Sequence, residues 1–201
     1  MERALRIAKK REVPVLLDLS GVNLSLYRKN TALSFLNRYT IDLVKGTVEE
    51  VQALIRSQKR NRCKEKNIKA EYRDFAIKNK VFLLVESEEY YITDGYSEFY
   101  IENNSANLNK KIELGYVFTA LLAIAIGGID NRREEMVAIL IAVMIFSIGC
   151  SLEANKINEY YKCGFFKLKE LFLDKIKNID EDMIYDLGKI SYNFKSKRVT
   201  G

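Results

Sequence analysis

The stretch from Leu108 to Gly128, LNKKIELGYVFTALLAIAIGG, constrains this chain more than any other. A polar, basic approach (Asn109, Lys110, Lys111) and a single turn glycine, Gly115, lead into an unbroken apolar run that ends at Gly127-Gly128. Two structures accept such a run. It is the first half of a membrane hairpin whose second half is Met136 to Leu152, or a phosphate-binding loop entering a buried helix of a soluble α/β fold. The uncharged runs from Leu114 to Ile129 and from Met136 to Leu152 both fall just short of the ~18–20 residues that span a bilayer, yet exceed the ~10–14 of a core helix. The polar link from Asp130 to Glu135 serves equally as a luminal turn or a helix connection. Lysines on the outer flanks suit a hairpin with both ends in the cytoplasm. Hydropathy alone leaves both structures open.

The rest of the chain bears on that choice. Helix and strand signals alternate through the first half. Glu2 to Arg11 carries Ala4, Leu5 and Ala8 at helical spacing, and Val13 to Leu17 is a short apolar run suited to a strand buried on both faces. Asp18 ends it. Thr31 to Tyr39 reads as a helix, and Ile41 to Val44 as a strand broken by Lys45-Gly46. Thr47, with Glu50 three positions on, has the capping-box pattern for a helix through Ile55. Ile68 to Lys78 is the next helix and Val81 to Val85 the next strand. Tyr90 to Thr93 and Ser97 to Ile101 flank Asp94-Gly95 as a hairpin. Only helices are expected after that, over Leu114 to Ile126, Arg133 to about Ile157, Phe165 to Ile176 and Asp182 to Tyr192. Alternating βα units imply a mostly parallel sheet flanked by helices, whose ligands lie outside the carboxyl ends of the strands. Such a sheet also brings fully buried helices of its own, which weighs against lipid.

Composition closes off several chemistries. With 201 residues, 48% apolar and 30% charged, the chain suits one domain with a sizeable core. It has no histidine, so a His-based triad or a His metal site is excluded. The net charge of +6 owes much to Arg56–Lys69, RSQKRNRCKEKNIK, which reads as a solvated basic loop with no nucleic-acid role. Cys63, Cys150 and Cys163 lack metal-ligand spacing, and Cys150 sits in an apolar run as a small hydrophobe. The N-terminus lacks the continuous apolar core of a signal peptide, which points to the cytoplasm.

Five segments, in order, resemble those of one family. ERALRIAKKREVPVLLDLSGVNLSLYRKNTALSFL is similar to the segment of hydroxyethylthiazole kinases in which a helix leads to a P-V-V-L-D-P-V-G-V-G strand and loop. IDLVKGTVEEVQAL resembles I-R-G-N-x-S-E-I-x-A-L, and YYITDGYSEFYIENN resembles the D-Y-(V/I)-T-D-G hairpin. LNKKIELGYVFTALLAIAIGG stands where the family has L-T-x-V-T-G-T-G-C-x-L-x-A, and CGFFKLKELFLDKI resembles its late P-G-S-F-x-x-x-L-L-D-A-L helix. The resemblance implies a ribokinase-like α/β fold over 1–201. It implies transfer of the ATP γ-phosphate to the hydroxyl of 4-methyl-5-(2-hydroxyethyl)thiazole, in thiamine synthesis and salvage.

Carried over to this chain, Asp18 and Glu50 match the acidic residues that position Mg²⁺ around the phosphates. Their local alternatives are a solvated strand-end aspartate and a capping-box glutamate. Lys45 stands where the family has an ATP-contacting arginine and keeps the charge without the planar fork. Thr47 replaces the asparagine of N-x-x-E. Glu86 replaces a threonine at an ATP-contacting strand end, placing a carboxylate where nucleotide phosphates approach. The G-T-G-C loop becomes Glu113-Leu114-Gly115-Tyr116. Gly115 is then the remaining glycine whose amides cradle the phosphoryl group and substrate, and Tyr116 takes the place of the cysteine that serves as base. A tyrosine, with an ordinary pKa of about 10, is unsuited to that role near neutrality.

The resemblance further implies an incomplete N-terminus that lacks the family's first strands, and a homo-oligomer or a paralogue partner. ATP, Mg²⁺ and a thiazole alcohol are the implied ligands, bound by degenerate motifs, so the activity expected is weak or absent. The alternatives are a non-catalytic partner subunit of a kinase paralogue and a two-helix membrane effector with a cytosolic domain.

Overall fold

Short apolar strands alternate with amphipathic helices to build a six-stranded mixed sheet. The computed structural model describes residues 1–58, 67–103, 114–129, 131–154 and 165–194. The strands are β1 (Leu16–Asp18), β2 (Leu43–Thr47), β3 (Phe82–Glu86), β4 (Glu89–Thr93), β5 (Ser97–Glu102) and β6 (Ile190–Phe194), and they lie side by side in that order. β1 pairs with β2 and β2 with β3 in parallel, with Leu16 opposite Leu43 and Leu43 opposite Phe82. β3 pairs with β4 antiparallel, with Leu84 opposite Ile92. Parallel neighbours need crossovers. Helix α2 (Leu26–Arg38) supplies the first, and α3 (Val48–Gln58) with α4 (Ile68–Asn79) the second, after an N-terminal α1 (Glu2–Arg11).

The chain divides into two compact units. One comprises Met1–Tyr100 with Ser191–Gly201, and the other Ile101–Ile190. In the first, Leu17, Val44 and Leu83 point from one sheet face into a core with Phe35 of α2, Leu54 of α3 and Phe75 of α4. Because side chains alternate along a strand, Asp18, Lys45, Leu84 and Glu86 fall on the opposite face.

The second unit is helical: α5 (Gly115–Ile126), α6 (Arg132–Ala154), α7 (Phe165–Lys177) and α8 (Glu181–Leu187). Phe118 of α5 stacks on Phe146 of α6 at 4.3 Å between ring centroids, and Phe146 meets Phe172 of α7 edge-on at 5.6 Å. Gly149 lets α7 approach α6 closely, since a Cβ there would sit 3.2 Å from Ile176 Cγ1. Among the described residues one helix is long and apolar enough to cross a membrane, over Arg132–Leu152 with mean hydropathy 2.3. Of its apolar window, 61% is buried within the chain, as in a core helix.

Four boundaries differ from the sequence expectation. β2 runs through Lys45-Gly46 instead of breaking there, because the lysine finds carboxylate partners and the glycine makes room for neighbours. β1 starts only at Leu16. Helix α2 begins at Leu26, ahead of Thr31, because Ser25 caps it: the Ser25 hydroxyl accepts the Arg28 N–H at 3.3 Å. The last expected helix stops at Leu187, where Gly188 leaves the helical path, and Ile190–Phe194 forms β6. Cys63, Cys163, Asp130, Glu113 and most of the basic segment lie outside the described residues.

Candidate active site

At the carboxyl ends of the three parallel-paired strands sits one buried cation between two acids. Lys45 is directly opposite Asp18 in the β1–β2 register and opposite Leu84 in β2–β3, so Glu86, two residues beyond Leu84, lies diagonally across on the same face. The Lys45 ammonium is 2.7 Å from Glu86 Oε1 and 3.3 Å from Asp18 Oδ2. Lys45 is 5% exposed along its side chain, Glu86 15% and Asp18 27%, so the cluster opens toward solvent through its acids. Burial opposes the lysine's charge, but Glu86 and then Asp18 outweigh it and raise the Lys45 pKa above the ordinary lysine value. The lysine is therefore held charged. Among the described residues, two carboxylates meet one ammonium there.

Glu50 does something different. Its Oε2 accepts the Thr47 N–H at 2.9 Å, and its own N–H reaches the Thr47 hydroxyl at 3.4 Å, which closes the capping box at the start of α3. Its Oε1 accepts the Gly21 N–H at 2.7 Å, tying the loop after β1 to the helix start. Gly21 has φ 74°, in the region that favours glycine. Gly46 holds this arrangement close: a Cβ there would stand 3.0 Å from Leu19 Cβ and 3.3 Å from Glu50 Oε2. Asp18 adds a local turn by accepting the Ser20 N–H at 3.0 Å.

A cavity of about 830 Å³ opens beside Asp18, lined among others by Ser20, Val22, Tyr27, Arg28 and Thr31. Arg28 donates to the Ser20 carbonyl at 3.1 Å and so braces the loop. Neither Arg28 nor Gly46 was singled out as a functional residue by sequence. Their roles depend on a loop folding back across β2, which no local pattern announces.

Gly115 and Tyr116 belong to the second unit and open α5. Among the described residues no side chain caps that helix start, and none comes near where a Cβ on Gly115 would go. Tyr116 is 82% exposed. Cys150 is buried in α6, and burial pushes its thiol far above the ordinary range, which makes it an inert core residue. The structure thus brings Asp18, Lys45 and Glu86 into contact, with Glu50 bracing the loop that follows Asp18.

The model of the hydroxyethylthiazole kinase family matches residues 1–182. A hydroxyethylthiazole kinase of Clostridium perfringens is 24% identical over 197 residues, which cover 94% of this chain and 74% of that protein. One from Streptococcus agalactiae is 27% identical over 189 residues, covering 92% and 72%. The solved structure of a hydroxyethylthiazole kinase protein from Pyrococcus horikoshii superposes with a TM-score of 0.74 at 24% identity, covering 95% of this chain and 70% of that one. That likeness establishes the shared ribokinase-like fold.

Proposed function

Because the chain belongs to the hydroxyethylthiazole kinase family, we propose that it is an ATP-dependent phosphotransferase acting on the hydroxyl of 4-methyl-5-(2-hydroxyethyl)thiazole, with turnover well below that of a fully equipped family member. One observation carries the reading. A buried, charged lysine stands at the carboxyl ends of parallel strands, where open α/β sheets bind ligands. Lysine binds phosphate as a point charge. Here Lys45 is the phosphate-binding cation.

Asp18 is the Mg²⁺ ligand that the family resemblance implies: it is partly exposed and lines the cavity, and its Oδ1, on the Ser20 amide, and Oδ2, 3.3 Å from Lys45, would have to turn to the metal. Magnesium typically takes one or two carboxylates, with the rest of its shell from phosphates and water. When bound it would neutralise charge on the transferred group. Glu50 fits a direct ligand less well, since each of its oxygens already accepts a backbone N–H, so its part is to hold the loop after Asp18 in place. Tyr116 supplies no base, being a solvent-facing phenol.

Low turnover follows from charge. Two like charges about 4 Å apart repel by about 4 kcal/mol at an effective dielectric constant of ~20. That is on the order of three decades in affinity, before screening at this partly exposed site reduces it. An incoming phosphate meets that repulsion from Glu86. The cytoplasm is the compartment this reading implies. The test is thiazole-dependent ADP release by the purified chain with ATP and Mg²⁺. The expected result is turnover at or near background, while turnover of 1–100 s⁻¹, usual for kinases, would overturn the attenuated reading.

A further inference from the structure

Resting on the phosphotransferase reading, we infer that Glu86 is a built-in competitor for the nucleotide: its carboxylate occupies Lys45, the cation that would receive a phosphate, so residue 86 sets the nucleotide affinity of the site. Three observations support this. The contacts are unequal, with Glu86 at 2.7 Å from the ammonium and Asp18 at 3.3 Å, so Glu86 holds the lysine more tightly. Two carboxylates of the described residues already contact the Lys45 ammonium. A phosphate oxygen must therefore displace a carboxylate and not merely join it.

The third observation is the division of labour among the acids. Asp18 also holds the Ser20 amide, and Glu50 holds the amides of Gly21 and Thr47, so both are tied into the backbone framework. Glu86, the last residue of β3, directs its carboxylate at Lys45. Its removal leaves loop and helix cap intact. Its carboxylate is a surrogate for one phosphate oxygen, held in place by the covalent chain and therefore always at high effective concentration. The geometry amounts to a site closed by charge and not by shape.

The experiment is calorimetric titration of the full chain with ATP and Mg²⁺, using wild type, Glu86→Thr, Glu86→Gln, and Glu86→Thr combined with Lys45→Met. Circular dichroism and thermal melts establish that each is folded, and Glu86→Gln, nearly isosteric, stands in if the threonine variant does not fold. The expected result is at least tenfold tighter ATP binding by Glu86→Thr than by wild type, a smaller gain for Glu86→Gln, and loss of the gain when Lys45 is also replaced. Measurable wild-type binding that neither Glu86 variant improves would overturn the competitor role and leave the kinase reading standing. Folded proteins of which neither wild type nor either Glu86 variant binds ATP would overturn both. A gain that survives Lys45→Met would also sink the inference, because the phosphate would then not be sitting on that lysine.

Discussion

The first unit contains two clusters of charge that look alike on paper and differ in design. At the strand ends, one ammonium is shared by Asp18 and Glu86, both acids are partly exposed, and Asp18 lines a cavity. Deeper in the unit, Arg73 of α4 meets Glu98 of β5 at 2.8 Å, and the Tyr91 hydroxyl of β4 donates to the same Glu98 oxygen at 2.8 Å. Here one guanidinium faces one carboxylate, the tyrosine hydroxyl adds a second donor to the same oxygen, and the side chains are 13% and 6% exposed. Tyr72, Tyr91 and Tyr100 pack around it, with ring centroids 5.6 and 5.4 Å apart. The inner cluster is balanced and sealed, as a structural pair has to be if burial is not to cost more than it returns. The outer one, among the described residues, sets two part-exposed carboxylates against one ammonium, an arrangement that ligand or solvent can share. Balance and access, more than burial, separate a structural ion pair from a site.

The comparison can be broken at several points. Replacing Arg73 by Leu leaves Glu98 charged and buried, and should cost about 3–5 kcal/mol in denaturant unfolding. A loss under 1 kcal/mol would mean that water reaches Glu98 and that the two clusters are equivalent. Lys45→Met should cost less, about 2 kcal/mol, because its acids are partly exposed and can hydrate. That contribution has a pH signature. The Lys45 pKa is raised in the folded state, so its stabilisation is complete below the ordinary lysine value of about 10.4 and fades as pH rises through the folded value. Alkaline titration of stability should therefore be flatter in Lys45→Met than in wild type.

Tyr72 sharpens the contrast further. Its hydroxyl is buried with no hydrogen-bond partner among the described residues, and burial, helped by Glu49 and Glu71, pushes its pKa up to about 12. A raised folded value means stability is whole below about pH 10 and declines toward pH 12, by about 1–2 kcal/mol. Tyr72→Phe should remove that decline and be neutral or mildly stabilising at pH 7, since it deletes an unsatisfied group. Unchanged alkaline behaviour would show that the hydroxyl titrates normally. The smallest effect separates two glycines. Gly46→Ala should cost about 1–2 kcal/mol, as its Cβ crowds Leu19. Gly115→Ala should gain at most about 1 kcal/mol, because its Cβ meets none of the described residues. Equal responses in thermal melts would contradict the close approach at Gly46.

What could be read from the chain beforehand follows the range of the interactions. The capping box of Thr47 and Glu50 spans three residues and was visible as a pattern, as was the Asp94-Gly95 turn, where Gly95 takes φ 94° and Asp94 accepts the Ser97 N–H at 2.7 Å. Lys45-Gly46 looked like the end of a strand because a charge and a glycine end most strands. The acids that neutralise Lys45 lie on β1 and β3, and the groups that need the room at Gly46 lie on the β1 loop and α3. None of that is local. β6 was hidden for a related reason: Ile190, Tyr192 and Phe194 alternate, but the preceding helical pattern ran into them, and only Gly188 marks the break. The family resemblance pointed to Asp18, Lys45, Glu50 and Glu86. It did not tell that Glu50 would brace backbone while Glu86 would close on the lysine.

Glu50 has one more implication. A single carboxylate grips the amides of Gly21 and Thr47, which are far apart along the polypeptide, and so welds a connecting segment to a helix tip. The two amide protons share one guardian. A substitution that removes this carboxylate exposes both at once, so segment and tip lose their tie together.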